Sequence, residues 1–322
     1  MIQIATNFAG LTLANPIIVS SSGLTDSVDK IRRLEAAGAG AVVLKSVFEE
    51  QISMQIGSMQ GYGASEADDY LSVYVRSHAL NEHIHLIKEA KKVCHIPVIA
   101  SINCYTDSEW TDFAQLMEQA GADAVEINIL SLQTDKDYQY GSFEQRHVNI
   151  LRRVKSAVNI PVIMKLGSNF TNPVALIEQL HANGADGIVL FNRLYRPDID
   201  TEHLSFTTSN VMSSPTELAD KIRWTAIASA KVPQVDYAVS GGVHSGTDVV
   251  KSILAGAAAV EVCSLIYERG EQEIEKLKQE LGCWMERKGY ESLSQFKGKL
   301  NAKEDATPFE RTQFMKYYSS HE

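Results

Sequence analysis

Short apolar, β-branched runs recur along the chain at Pro16–Ser22, Ala41–Val47, Pro97–Asn103, Ala124–Leu130, Pro161–Gly167, Gly187–Arg193, Asp236–Gly242 and Ala259–Leu265. Runs of this length with little alternation predict strands covered on both faces. Between them lie amphipathic stretches such as Val28–Ala37 and Trp110–Ala120, and four such stretches close on one phrase: Ala37-Gly38-Ala39, Ala120-Gly121-Ala122, Asn183-Gly184-Ala185 and Ala255-Gly256-Ala257. The glycine in each predicts a helix C′ residue turning into the next strand. Two alternate strands open on Ile-Pro-Val, at Ile96-Pro97-Val98 and Ile160-Pro161-Val162, and a third follows Val232-Pro233. Proline is compatible with the first residue of a strand, where no ladder bond needs its N–H. The eight strand–helix units predict a closed (β/α)8 TIM barrel, an α/β fold, in one domain spanning residues 1–322, with a C-terminal helix and tail over about 271–322. No GxGxxG follows the first strand, which argues against an open doubly wound sheet.

Composition narrows the function classes. The chain has 322 residues, 44% hydrophobic and 22% charged, with a formal net charge of -10. A nucleic-acid binder or a binder of anionic membranes needs the opposite balance or a local run of Lys and Arg, and none is present. Cys94, Cys104, Cys263 and Cys283 form no CxxC pair and have no His-rich partner segment, so no metal site is expected and reduced thiols are. His83 and His85, two apart on a predicted helix, face different ways. There is no basic leader followed by an apolar core and no uninterrupted apolar stretch of about 18 residues, so a cytoplasmic protein without membrane association is expected.

In a barrel of this kind chemistry sits at the C-terminal strand ends. Here those ends carry Ser20-Ser21-Ser22-Gly23, Lys45-Ser46, Asn103, Asn128 with Ser131 beyond it, Lys165, Asn192-Arg193, Ser240-Gly241-Gly242 and Cys263-Ser264. Gly241-Gly242 lets backbone N–H groups approach a ligand, Ser245-Gly246-Thr247-Asp248 reads as a helix cap, and Cys263-Ser264 adds donors from the neighbouring strand; together these suit a phosphate. An ordinary glycine turn beside an N-cap is the alternative. Lys45 and Lys165 each end an apolar run. A lysine there fits a Schiff-base or general base, a permanent cation that stabilises charge on a bound cofactor, or a side chain snorkelling to solvent. Asn103 and Asn128 both donate and accept, as recognition of a ring with carbonyls and N–H groups requires.

The chain resembles the soluble, flavin-dependent dihydroorotate dehydrogenases over nearly its whole length. The resemblance is carried by Asn15-Pro16-Ile17-Ile18 running into the serines, Val42-Val43-Leu44-Lys45-Ser46, Val125-Glu126-Ile127-Asn128-Ile129, Pro161-Val162-Ile163-Met164-Lys165-Leu166, Ser240-Gly241-Gly242 with Asp248, and Ala255-Gly256-Ala257. The run Trp284–Tyr290, then Ser292-Leu293 and Phe296–Leu300, looks like that family's terminal helix and tail. The resemblance implies an FMN-containing barrel that oxidises dihydroorotate to orotate in pyrimidine biosynthesis. It implies that Ser20, Ser21, Lys45, Ser46, Asn103, Asn128 and Lys165 surround the isoalloxazine, Lys165 near N1 of the ring, where it stabilises the anionic reduced form. Gly241, Gly242, Cys263 and Ser264 are expected to hold the FMN phosphate. The base that takes the substrate proton is expected at Ser131, three residues after Asn128. Fumarate as electron acceptor and a homodimer are also implied, and an iron-sulfur partner subunit stays open. The short stretch before the first strand leads us to expect the class without a membrane-associated N-terminal extension.

The chain departs from the family at its substrate positions. Leu132-Gln133 stand where the family has Pro-Asn, Arg193 follows Asn192 where a small residue is usual, and the segment from Ser53 to Leu80 lacks the Asn-Ser-Met-Gly-Leu-Pro-Asn motif. The substrate set read here is Asn128, Gln133, Asn192 and Arg193, the last able to pair with a substrate carboxylate or with Asp198 or Asp200 in its own loop. Dihydroorotate oxidation is the leading reading. An FMN oxidoreductase acting on another small anionic molecule, a Schiff-base lyase or aldolase, and a barrel that only binds a ligand are the alternatives.

Overall fold

The computed structural model describes residues 2–48, 80–103, 110–311 and 313. Cys104 and the segment 49–79, which includes nearly all of the stretch compared with the family's substrate loop, lie outside the described residues.

All eight predicted strands form. They are β3 (Ile17–Val19), β4 (Ala41–Val43), β6 (Val98–Asn103), β7 (Ala124–Ile129), β8 (Val162–Leu166), β9 (Gly187–Leu190), β12 (Asp236–Ser240) and β13 (Ala259–Val262). Neighbours pair in parallel around the ring, and the pairing of Val42 with Val98 and of Val43 with Ile99 closes it. A short strand β5 (Val47–Phe48) lies along the end of β6. The apolar runs outlast the ladders: Cys263 caps the helix Ser264–Arg269 rather than extending β13. That helix starts because the last strand leaves the sheet at the rim, where ladder partners end.

Every one of the four recurring glycines has positive φ, from +91° at Gly38 to +115° at Gly256. In each phrase the N–H after the glycine bonds back across a full turn: Ala39 to Leu34, Ala122 to Met117, Ala185 to Leu180 and Ala257 to Ser252. These bonds satisfy carbonyls that the helix end would leave unpaired, and the left-handed glycine permits the geometry. A second repeated device aims the chain into alternate strands. Glu35 accepts from the N–H groups of His95 and Ile96, and Glu118 accepts from those of Asn159 and Ile160, just ahead of the two Ile-Pro-Val openings.

Two hairpins were not expected from the sequence. One is β1 (Thr6–Phe8) with β2 (Leu11–Leu13), whose Phe8, Leu11 and Leu13 form one apolar cluster with Ile18, Ala41, Val43, Ile99, Ala124, Ile163, Val189, Ala238 and Ala259. The inward positions at the N-terminal end of the barrel are small or aliphatic, and the hairpin plugs that end. The other is β10 (Pro197–Asp200) with β11 (Ser205–Thr208), an exposed ribbon after β9. Outside the barrel, helices including Val28–Ala36, Trp110–Gln119, Ser142–Ala157, Gly246–Leu254 and the helical residues 80–93 cover the outward strand faces, and Glu273–Lys288 packs on Gly246–Leu254. Among the described residues no helix is long and apolar enough to cross a membrane.

Candidate active site

Strand periodicity sets the floor of the site. Two residues beyond the apolar inward layer, the inward positions become Ser20, Ser101, Glu126, Lys165 and Glu261, all buried. Two residues further still come Asn103 and Asn128, paired in register on β6 and β7, with Asn128 opposite Lys165 of β8. Above this floor opens a cavity of about 670 Å³ at the C-terminal end of the barrel, the size range of a small-molecule or cofactor site.

Of the residues singled out from sequence, Ser20, Ser21, Lys45, Ser46, Asn103, Asn128, Lys165, Asn192, Arg193, Gly241, Gly242, Cys263 and Ser264 line this cavity. Ser131 and Gln133 do not; the loop residue facing it is Leu130. Ser131 and Gln133 bond to each other instead, Gln133 Nε2 donating to Ser131 Oγ at 3.1 Å, while Asn169 holds the Ser131 carbonyl at 2.8 Å.

The two lysines differ sharply. Lys45 is exposed to the cavity. Lys165 is only 4% exposed and does not snorkel. Its Nζ donates to Ser20 Oγ at 2.9 Å and to Glu261 Oε2 at 2.5 Å, and stands 3.6 Å from Glu126 Oε1. Ser20 Oγ in turn donates to Glu261 at 2.9 Å, closing a triangle. Burial alone would drive a proton off Lys165, but the flanking Glu126 and Glu261 outweigh it and raise its pKa above the usual lysine range. That fixed positive charge removes the Schiff-base role for Lys165, since attack on a carbonyl needs the neutral amine.

Polar groups continue around the rim. Ser46 Oγ lies 2.9 Å from Ser21 Oγ and 2.7 Å from Ser101 Oγ, one hydroxyl chain linking β3, β4 and β6. Asn192 Nδ2 donates to Asn128 Oδ1 at 2.8 Å, so the two amides are oriented by each other. Arg193 is not a free cation. Its Nε donates to Glu217 at 3.0 Å, and its terminal nitrogens donate to the carbonyls of Val211 and Asn210 at 2.6 and 2.8 Å. The expected partners Asp198 and Asp200 sit on the exposed ribbon, and Asp200 binds His203 instead. Arg193 thus pins the returning segment 210–217 over the cavity.

At the far end Gly241 and Gly242 both have positive φ, +89° and +83°. A Cβ on Gly242 would come within 2.6 Å of the Leu218 backbone nitrogen, so only glycine lets strand β12 turn here against the start of the preceding helix, Leu218–Lys231. Ser213 ties the turn to the next strand end: its Oγ accepts from the Gly242 N–H at 3.2 Å, and its own N–H donates to Ser264 Oγ at 2.9 Å.

Sequence reasoning assigned no role to Ser213, Glu126 or Glu261. The carboxylates carried a signal, a single acid inside Val125-Glu126-Ile127 and Val260-Glu261-Val262, while nothing around Ser213 announces that its loop folds back to the glycine pair. Among the described residues no group of three or more His, Cys, Asp and Glu could hold a metal ion.

The cavity's donor set fits FMN: a cation, amides and hydroxyls around a space for a polar ring, and a glycine pair with serine hydroxyls for a phosphate. The comparisons agree in kind. The family profile described as dihydroorotate dehydrogenase matches residues 3–285. Similar proteins include the catalytic subunit of dihydroorotate dehydrogenase B (NAD(+)) of Thermoplasma volcanium, 29% identical over 92% of this chain and 98% of the relative. The protein of the same description from Methanocella arvoryzae is 30% identical over 83% of this chain and 88% of its own. Dihydroorotate dehydrogenase A (fumarate) of Lactobacillus helveticus is 26% identical over 92% and 99%.

Proposed function

Since the chain belongs to the dihydroorotate dehydrogenase family, we propose that it is an FMN-dependent oxidoreductase that converts dihydroorotate to orotate, a step of pyrimidine biosynthesis. The observation that carries the reading is the Lys165 ammonium, buried and fixed at the floor of a cavity whose other end is the Gly241-Gly242 turn. When bound, FMN supplies a two-electron acceptor for the substrate C–H bond. Lys45, Ser46, Asn103, Asn128 and Lys165 enclose the ring, and Gly241, Gly242, Cys263 and Ser264, with Ser213 bracing the turn, hold the phosphate.

Oxidation of a CH–CH bond also releases a proton from the neighbouring carbon, and Ser131 is the residue we assign to take it. At present its hydroxyl accepts from Gln133. A substrate that draws the Gln133 amide to itself would free that lone pair, so base and substrate contact are coupled in one loop. Asn128 and Asn192, already oriented by one another, present the amide edges for the pyrimidine. Fumarate is the acceptor we assign, with the chain acting as a homodimer; NAD(+), named for several relatives, is the competing acceptor.

The test is anaerobic mixing of FMN-loaded protein with dihydroorotate. Bleaching of the flavin absorbance, with reoxidation by fumarate, is expected. Bleaching by dithionite but not by dihydroorotate would assign the protein to a different small anionic substrate, the reading that Leu132-Gln133 in place of Pro-Asn favours. Reoxidation by NAD(+) and not by fumarate would replace the acceptor.

A further inference from the structure

The formal charges beneath the cavity do not balance one for one. Lys165 is one cation, yet two carboxyls, Glu126 and Glu261, share its pocket and are 1% and 2% exposed. They are not equivalent. Glu261 receives both the ammonium and the Ser20 hydroxyl at bonding distance. Glu126 lies 3.6 Å from the ammonium, and neither of its oxygens accepts a hydrogen bond from a donor among the described residues; Glu261 is the acceptor its own proton can reach. A third full charge so deep in the barrel costs several kcal/mol unless it is matched. The matched carboxylate therefore stays ionised and the unmatched one keeps its proton.

We propose that Glu126 and Glu261 are positioning residues that hold one proton between them and together cancel the Lys165 charge, so that the bound flavin has a lower reduction potential than an uncompensated lysine would set. The inference rests on the FMN reading. Removal of water and proximity to Glu261 push Glu126 well above the usual carboxylate range against the opposing pull of Lys165, whereas Lys165, Glu126 and Ser20 hold Glu261 below it despite its burial. Cys263, the remaining titratable group near the ammonium, is pushed upward by burial and adds no charge at neutral pH. Lys45, exposed on the cavity wall, is outside this neutral cluster.

The substitutions separate the two acids. Glu126→Gln exchanges a neutral group for a neutral group. Glu261→Gln removes the bonded carboxylate, and Glu126, 3.6 Å from the ammonium against 2.5 Å for Glu261, then ionises in its place and compensates the charge only in part. Only the double variant leaves Lys165 with no carboxylate; Ser20 Oγ still accepts from its Nζ, and the negative charge of the reduced flavin favours the ammonium in place of the lost acids. The experiment is equilibrium reduction of FMN-loaded protein against a reference dye at neutral pH, following both spectra. We expect E126Q to shift the equilibrium for two-electron flavin reduction by less than threefold. The double variant E126Q/E261Q should raise it at least tenfold, which is about 30 mV for a two-electron couple. Flavin bound by the double variant at the wild-type potential overturns the inference, as does E126Q alone matching the double variant. If the double variant does not retain flavin, E261Q alone decides: a rise of at least threefold supports the inference, and no rise overturns it. Wild-type protein that takes up no FMN overturns the cofactor reading and this inference together.

Discussion

Replacing Lys165 by Met removes the one cation from a pocket that holds two carboxyls, and the consequence for stability can be worked through. In the wild type Glu261 is ionised and bonded to the ammonium at 2.5 Å. Without it, Glu261 must either stay charged and unmatched or take a proton. Taking a proton costs about 1.4 kcal/mol for each pH unit above the ordinary carboxylate value of about 4.3. That cost is about 4 kcal/mol at pH 7.5 and about 1.5 kcal/mol at pH 5.5, and the first figure agrees with the roughly 3–5 kcal/mol typical of breaking a buried pair by removing one partner. The sign follows from proton linkage. In the variant the folded state binds this proton more tightly than the unfolded chain, so its stability falls as pH rises above the unfolded value. In the wild type Lys165 holds Glu261 below its ordinary range, so that contribution is complete above the unfolded value and is lost only in acid. The deficit of Lys165→Met should therefore be largest at pH 7.5 and shrink by more than half at pH 5.5. Urea unfolding followed by the fluorescence of the three tryptophans, at fixed ionic strength, measures it. Parallel series without flavin and with saturating FMN separate the linkage contributed by cofactor binding. A deficit below about 1 kcal/mol at pH 7.5, or one equal at both pH values, would refute the assignment of a matched charge to Glu261.

Other outcomes follow from individual residues. Gly242→Ala forces a Cβ to within 2.6 Å of the Leu218 nitrogen at a φ of +83°, so FMN affinity, read by quenching of flavin fluorescence, should fall at least tenfold; undiminished binding would remove the turn from the phosphate site. Ser131→Ala should slow flavin reduction by dihydroorotate by about tenfold or more without releasing FMN, and unchanged stopped-flow kinetics would reject it as the base. His83 is buried, which lowers its pKa to about 4, and its Nε2 has no hydrogen-bond partner among the described residues. Between pH 6.5 and 4.5 the unfolded chain gains a proton there that the folded chain does not, so wild-type stability should drop by about 2 kcal/mol more than that of His83→Leu over this interval; equal slopes in the two proteins would contradict it.

The sequence by itself determined the repeat. Each helix end with its glycine, each Ile-Pro-Val opening and each doubly buried strand is specified by residues within a few positions of one another, and local rules of capping and burial apply whatever the rest of the chain does. The strand count and the rim residues follow from that period, which is why Lys165, Asn128 and the Gly241-Gly242 pair could be placed on one rim beforehand. Tertiary structure decided what those residues touch. Arg193 looked available for a substrate, yet Glu217 and two carbonyls 17 and 18 residues downstream consume its donors. The N-terminal hairpin, which no local pattern announces, plugs the barrel through the apolar cluster it shares with the barrel strands. Most of all, Glu126, Lys165 and Glu261 are up to 135 residues apart, and their meeting depends on the stagger of strands around a closed ring. Period 2 says that each points inward or outward; only closure of the barrel says that two acids and one base share a single low-dielectric pocket, where one proton must settle the charge.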